Sequence, residues 1–493
     1  MNKYFKLYCP IIEIILCIAI IIGGIILRTK AYFADLPFWV DEEAVIIDGI
    51  NILKGNEPCY RGLENQYLSP IIFFFGRFIY NLYGLDEMAL RLIPFVSSLI
   101  TLPLFALLTK KVIRTPFLFL LPLLFIAINQ ELIFNSQYFK FYSTDFLAVI
   151  IISLFVFYLE KFDKKKFVYC LIASVILAWS GFNPVFYLTG ITICLFFFVI
   201  KNSTADNWRK YFIFSISWGS FAGLYVYELL TRRTNLELLT SCWQDFGNFF
   251  PKSTEDFSGL FFYHLSFWPE KVSLVCFGLV FFAGLAIMIK KYGFRFVCFI
   301  SPVFVMLLLA AMGKFPFIQR QTLCLMPIWL ICCTKAIDFC DWKSINKYLL
   351  LVPSICLCLL ISIFSNYDIS YVKQIMNNPD YFRMSTGKEI YKFIQKYYKA
   401  DGHHAIYMLG RDSSLRIYDY ENKIIDGNDI YDIDEFNMFI SKIEKDKHIH
   451  IYIKDYPYIG TSSSENYSYI KENCEIVKEI DDGYGKYVIF KKI

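Results

Sequence analysis

Nothing in this chain of 493 residues reads as a cradle for a nucleotide phosphate. No Gly-rich loop leading into a Lys and a Ser or Thr is present, and the lone Gly-x-Gly at Gly483 and Gly485 reads as a hairpin turn. Water-soluble nucleotide donors are therefore a poor match. Metal-type cysteine spacing is absent too. Most of the 15 cysteines, Cys17, Cys276, Cys324 and Cys356 among them, fall inside apolar runs, where cysteine behaves as a small buried hydrophobe. Cys59, Cys242 and Cys474 lie outside such runs, and no chemistry is assigned to them. The chain has no solenoid-type repeat and no low-complexity segment. No small-residue cleavage pattern follows the first apolar run, residues 11–27, and only Lys3 and Lys6 precede it; it is expected to be a retained helix.

What the chain has is apolar surface. Hydrophobic residues make up 56% of it, with a mean hydropathy of +0.45, and they fall in long blocks, which marks a polytopic membrane protein. Spans are expected near residues 11–28, 91–109, 115–130, 146–160, 167–182, 184–200, 211–229, 271–289, 295–312, 321–337 and 347–364. The basic clusters Lys110-Lys111-Arg114, Lys161 with Lys164-Lys165-Lys166, Lys201 with Arg209-Lys210, Lys290-Lys291-Arg295, and Lys343 with Lys347 then share one side, which the positive-inside rule makes cytoplasmic. Residues 366–493 carry 18 Lys and Arg against 21 Asp and Glu, so the net +5 belongs to the membrane part and reports topology, not nucleic-acid binding.

Two further segments, 41–53 and 67–83, are expected as helices lying in the outer interface. Val45, Ile46, Gly49, Ile50 and Leu53 recur at helical spacing in the first, and counting the second as a span would turn the basic loops outward. The chain divides into a transmembrane domain, 1–365, and a small α/β domain outside the membrane, 366–493. In the latter, residues 403–409, 448–453 and 487–490 read as strands and 387–399 as a helix.

On this topology, ionisable residues converge on the outer face. The first loop offers Asp41, Glu42, Arg77, Asp86, Glu87 and Arg91; the second, residues 129–145, offers Glu131, Gln137, Lys140, Tyr142 and Asp145; a late loop offers Lys314, Gln319 and Arg320. Acidic residues beside a bilayer are costly unless they serve something. Carboxylates facing Arg and Lys at a membrane surface suit transfer of a group from a lipid phosphate: a carboxylate accepts the proton of an attacking hydroxyl while cations stabilise the departing phosphate.

Three motifs carry a resemblance. Val40-Asp41-Glu42-Glu43-Ala44 follows the first span, Leu82-Tyr83-Gly84-Leu85-Asp86-Glu87-Met88-Ala89-Leu90-Arg91-Leu92 enters another, and Ser136-Gln137-Tyr138-Phe139-Lys140-Phe141-Tyr142-Ser143-Thr144-Asp145 precedes a third. Together they resemble the protein-mannosyltransferase and lipid A aminoarabinose-transferase group of glycosyltransferase family 39, in the GT-C superfamily, across residues 5–340 in layout. The resemblance implies that Asp41 is the base deprotonating the acceptor, that Glu42 supports it or contacts a substrate, and that the donor is a polyprenyl-phosphate sugar held on the non-cytoplasmic side. Asp145 matches an acidic residue that helps bind a divalent metal in oligosaccharyltransferases. Ser143 stands where those enzymes have the first Asp of Asp-x-Asp, which favours a metal-free site using Lys140 and Arg320. A divalent cation near Asp41 and Asp145 stays open, and no cofactor is assigned. Gln319-Arg320 resembles the late-loop arginine that meets the lipid phosphate, with Gln137, Tyr142 and Arg91 as further candidate substrate-binding residues.

Bland readings stand beside these. Asp41 and Glu42 could cap the following helix, Arg77 could anchor to headgroups, Arg91 could pair with Glu87, and Lys140 with Asp145. The function expected is an inverting glycosyltransferase with an Asp41 base, acting on a glycan, lipid or protein acceptor outside a bacterial cytoplasmic membrane, with membrane lipid and no nucleic acid as partner. The alternatives are a transporter or lipid-linked sugar flippase, and an inactive glycan-binding protein of the same fold. Transporters usually show midplane charges and two similar halves, which this chain lacks.

Overall fold

The computed structural model describes residues 3–33, 40–61, 63, 69–158, 164–232, 271–312 and 319–339, together with five strands and residue 472 in the 404–492 region. The expected span at 347–364 and the expected helix at 387–399 lie outside the described residues. By contacts the chain forms two units: residues 1–34 with 51–379, and residues 35–50 with 380–493.

The first unit is a helical bundle. Its helices are α1 (Lys3–Tyr32), α3 (Pro70–Tyr83), α4 (Glu87–Val112), α5 (Leu120–Ile128), α6 (Gln130–Asn135), α7 (Tyr142–Tyr158), α8 (Lys164–Ala178), α9 (Phe182–Lys201), α10 (Ala205–Arg232), α11 (Lys271–Tyr292), α12 (Phe294–Ala311), the short α13 (Gln319–Thr322) and α14 (Met326–Phe339). Helix α2 (Val40–Leu53) runs across the boundary between the units. Among the described residues, four helices are long and apolar enough to cross a membrane, at Pro10–Tyr32, Glu87–Val112, Phe182–Lys201 and Phe294–Ala311. Of the seven other expected span positions, the six among the described residues are occupied by helices, as are the described parts of both expected interface segments.

Polar contacts fix which ends meet. At one end Lys110 pairs with Glu13 at 2.5 Å and sits 4.3 Å over the Phe119 ring. At the other, Arg28 donates to Ser98 Oγ (2.6 Å) and to the carbonyls of Gly24, Ala127 and Ile126, while the Tyr32 hydroxyl reaches the Met88 carbonyl at 2.6 Å. Helices α1 and α4 are thus antiparallel neighbours, tied at both ends. The core between these ends is apolar, with Leu102, Phe105, Leu123, Val149, Ile150, Tyr187, Phe296 and Phe299 all buried. Gly190 of α9 lets that helix approach Ser301 of α12 closely, the small-residue packing typical of helices in lipid.

The Lys110 end is closed by a second polar knot. Buried Lys335 donates to the Val112 carbonyl at 3.0 Å and pairs with Asp338, whose Oδ1 accepts the Thr115 N–H at 2.8 Å and its hydroxyl at 2.5 Å. Tyr292 also donates to Val112 O, at 2.9 Å. Backbone groups freed at the C-terminus of α4 are satisfied here by later helices.

In the second unit five strands are described: β1 (His404–Leu409), β2 (Asp429–Ile430), β3 (His448–Lys454), β4 (Cys474–Asp481) and β5 (Gly485–Lys492), ordered β2-β1-β3-β5-β4. Strand β1 is parallel to β2 and β3, whereas β5 is antiparallel to both β3 and β4. The three expected strands are β1, β3 and β5; β2 and β4 were not anticipated. The antiparallel β4–β5 pair is separated by three residues that include Gly483, in keeping with the hairpin reading.

Candidate functional site

The second polar segment, 129–145, was expected as an outer loop. The structure makes it a folded piece of the interior instead. Asn129, Asn135, Ser136, Gln137, Phe139, Lys140, Ser143 and Asp145 are all buried. Asn129 caps α6, its Oδ1 accepting the Leu132 N–H at 3.1 Å. Ser136 donates back to the Ile133 carbonyl, and Ser143 reaches over the turn to donate to the Asn135 carbonyl at 2.9 Å. Helix α7 then starts with Asp145 in its first turn.

Asp145 is held by the start of α9. Its Oδ2 accepts the Asn183 side-chain N–H at 2.8 Å and the Asn183 backbone N–H at 3.3 Å. A Cβ added to Gly181, the N-cap of α9, would fall on Asp145 Oδ1, so glycine is what permits this approach. A carboxylate at a helix N-terminus meets both free N–H groups and the positive end of the helix dipole. The local ion pair considered for Lys140 and Asp145 is not what holds Asp145: its hydrogen-bond partners are those of Asn183. Lys140 is buried, and its backbone N–H bonds to the Tyr138 carbonyl at 2.7 Å. Gln137 is buried with its Nε2 unpartnered, and half-buried Tyr142 opens α7, its ring 4.6 Å from that of Phe141.

The segment 319–325 comes to the same end of the bundle. Its Leu323–Leu325 turn packs on α7, and the Tyr187 hydroxyl of α9 donates to the Cys324 carbonyl at 3.0 Å. Gln319 and Arg320 lie in α13 at the head of this segment; their side chains are outside the described residues. Arg91 is buried in the first turns of α4, beside buried Glu87. Asp41 and Glu42 open α2 and belong to the second unit; Glu42 is fully buried, and the side chain of Asp41 is outside the described residues.

Two residues named for this face have other duties. Asp86 caps α4, accepting the Ala89 N–H at 2.8 Å. Arg77 donates to the Ile52 carbonyl at 2.9 Å through Nε and to that of Glu57 through Nη2, closing the C-terminus of α2. Among the described residues no group of three or more His, Cys, Asp or Glu side chains is placed to hold a metal. Asp145 Oδ2 faces N–H donors and Ser143 donates to a carbonyl, while the side chain of Asp41, the other residue named for a divalent cation, is outside the described residues. Cys59 is a free, half-buried thiol whose titration burial pushes up. Asn183 and Gly181 were not anticipated; the signal was Gly181-Phe182-Asn183-Pro184, a polar break between two apolar runs.

No protein-family model matches the chain, and no curated protein matches it in sequence. Among solved structures, it is similar to ArnT from Cupriavidus metallidurans bound to undecaprenyl phosphate, with a TM-score of 0.57 and 11% identity, covering 97% of each chain. The apo form of the same protein gives 0.55 at 11% identity, again over 97% of each. At this identity the likeness speaks to the fold alone: the chain shares the fold of these ArnT structures, in keeping with the resemblance carried by its sequence motifs.

Proposed function

We propose that this protein is an inverting membrane glycosyltransferase that moves a sugar from a polyprenyl-phosphate carrier to an acceptor outside the cytoplasm. The observation that carries this reading is the likeness over 97% of both chains to ArnT, solved with undecaprenyl phosphate bound. The acceptor is a glycan, lipid or protein. In this reading eleven spans put the Asp145 end of the bundle on the non-cytoplasmic side of a bacterial cytoplasmic membrane, with residues 1–365 as the transferase domain and 366–493 as a domain helping to shape the acceptor side.

Asp41 is the general base: it takes the proton from the acceptor hydroxyl or amine as that group attacks C1 of the sugar, and the bond from C1 to the phosphate oxygen breaks with inversion. Glu42, enclosed on the same helix turn, supports the base. Lys140 and Arg320 stabilise charge on the departing lipid phosphate, with Gln137, Tyr142, Arg91 and Gln319 as further substrate contacts. The burial of Lys140 supports this assignment, because a cation acts more strongly on a phosphate where water is excluded.

Asp41→Asn, assayed in membranes with a polyprenyl-phosphate sugar, is expected to lower transfer by about 100-fold or more. Unchanged transfer in that variant would sink the general-base assignment. Absence of transfer by the unaltered protein with every lipid-linked sugar offered would sink the glycosyltransferase reading itself.

A further inference from the structure

Asp145 poses an energetic question. It is 1% exposed, and all of its hydrogen-bond donors come from Asn183. Burying an ionised group without a counter-charge is costly, and an apolar side chain of similar volume would serve packing better. Nor is the pair fully satisfied: Asp145 Oδ1 and Asn183 Oδ1 are both buried without hydrogen-bond partners. Native structures leave few such groups, and those that persist call for a reason other than stability.

The reason offered by the geometry is the segment between α6 and α7. Residues 136–141 have no regular helix of their own, yet they carry Gln137 and Lys140 in the interior. The segment is pinned on its α6 side by the Asn129 cap and bridged by Ser143 to Asn135 O. On its α7 side one side-chain tether to another span is Asp145, locked between Gly181 and Asn183 at the head of α9. A cation on an irregular segment acts reliably on a ligand only when its support is rigid.

We propose that Asn183 is a positioning residue for the transfer reaction: it fixes the Asp145 carboxylate through Oδ2, and through it the buried segment presenting Gln137 and Lys140 to the phosphate of the lipid carrier. Gly181 is its necessary companion, because only a residue without a side chain lets the carboxylate reach Asn183. The inference rests on the glycosyltransferase reading.

The test uses the full-length protein in nanodiscs, with undecaprenyl phosphate as the probe and hydrogen exchange of the 136–145 amides as an independent readout. Asn183→Ala is expected to weaken binding of the probe by about tenfold or more and to speed exchange across 136–145, while exchange in the core of α4 stays as it was. Asn183→Asp places two carboxylates together. It should be impaired at neutral pH and recover binding as the pH is lowered, because one shared proton re-forms the hydrogen bond. That acid rescue is something a merely destabilised fold would not show, and it keeps the proposal testable if the alanine variant fails to fold.

Asn183→Ala with unaltered affinity and unaltered exchange would overturn the proposal, as would Asn183→Asp impaired equally at every pH. If the unaltered protein does not bind undecaprenyl phosphate, the transfer reading falls and takes the reaction role of Asn183 with it. Loosened 136–145 exchange in the alanine variant would even then identify the tether as real, so the two failures are told apart.

Discussion

At position 181 one hydrogen atom in place of a methyl group decides whether α7 and α9 can share a carboxylate. Gly181→Ala would put its Cβ on Asp145 Oδ1, so the variant is expected to lose most sugar transfer while Asn183→Gln, which keeps an amide, loses less; side-by-side transfer assays in membranes check the order. Arg28 makes the same point by a different interaction. Its guanidinium is 1% exposed and donates to one hydroxyl and three carbonyls contributed by α1, α4 and α5. Arg28→Met is expected to cost about 3 kcal/mol, since several buried acceptors lose a charged donor, and to lower the thermal midpoint in detergent. Neither residue was marked in the sequence: Arg28 closed an apolar run, and Gly181 filled a break between two others. What a lone residue touches depends on helices far along the chain, and residue type alone does not carry that. The carboxylates beside the membrane were legible because a charge in such a place is already anomalous, whereas a glycine or an asparagine is not.

Helix α3 shows how much a local pattern can specify at the scale of one element. Ser69 caps it, accepting the Ile72 N–H at 3.3 Å, and Pro70 supplies its first turn. One side of the helix packs inward: Gly76 comes so close to Phe139 that an added Cβ would lie 3.0 Å from its ring, and Ile72, Phe73 and Ile79 are buried. The other side exposes Phe74, Phe75, Phe78 and Leu82, which is what a helix lying in the apolar edge of a bilayer would present. Phe78→Trp should therefore be quenched by brominated acyl chains and shielded from aqueous acrylamide; the reverse pattern would place α3 in water. The expected start at residue 67 was three residues early because Ser-Pro, a cap followed by a first-turn proline, overrides the apolar run. Strand β4 was missed for the opposite reason. Its Cys-Glu-Ile-Val-Lys-Glu-Ile-Asp sequence is dominated by charge, and only its antiparallel pairing with β5 makes it a strand.

For the whole molecule, the alternation of basic clusters and apolar runs already implied which helix ends lie together, because that alternation is imposed by the bilayer and not by packing. The particular neighbours were not legible, since apolar faces fit many partners, and polar knots such as Lys335, Asp338, Thr115 and Val112 choose among them. Asp338→Ala would leave Lys335 buried and unpaired and is expected to destabilise the protein by about 3 to 5 kcal/mol. The double variant Lys335→Met with Asp338→Leu should recover much of that loss, and thermal unfolding of the three proteins in one detergent decides it. Helix α1 presents the same long-range dependence as a matter of order in time. It exposes Ile11, Ile12, Ile14, Ile15, Leu16 and Ile18, but Glu13 finds Lys110 and the Phe117 N–H 97 and 104 positions later, and Arg28 finds Ser98, Ile126 and Ala127 70 to 99 positions later. Helix α1 therefore leaves the ribosome carrying an acid and a base whose partners have yet to be synthesised. Its final seating is an event of biogenesis that waits for α4 and α5.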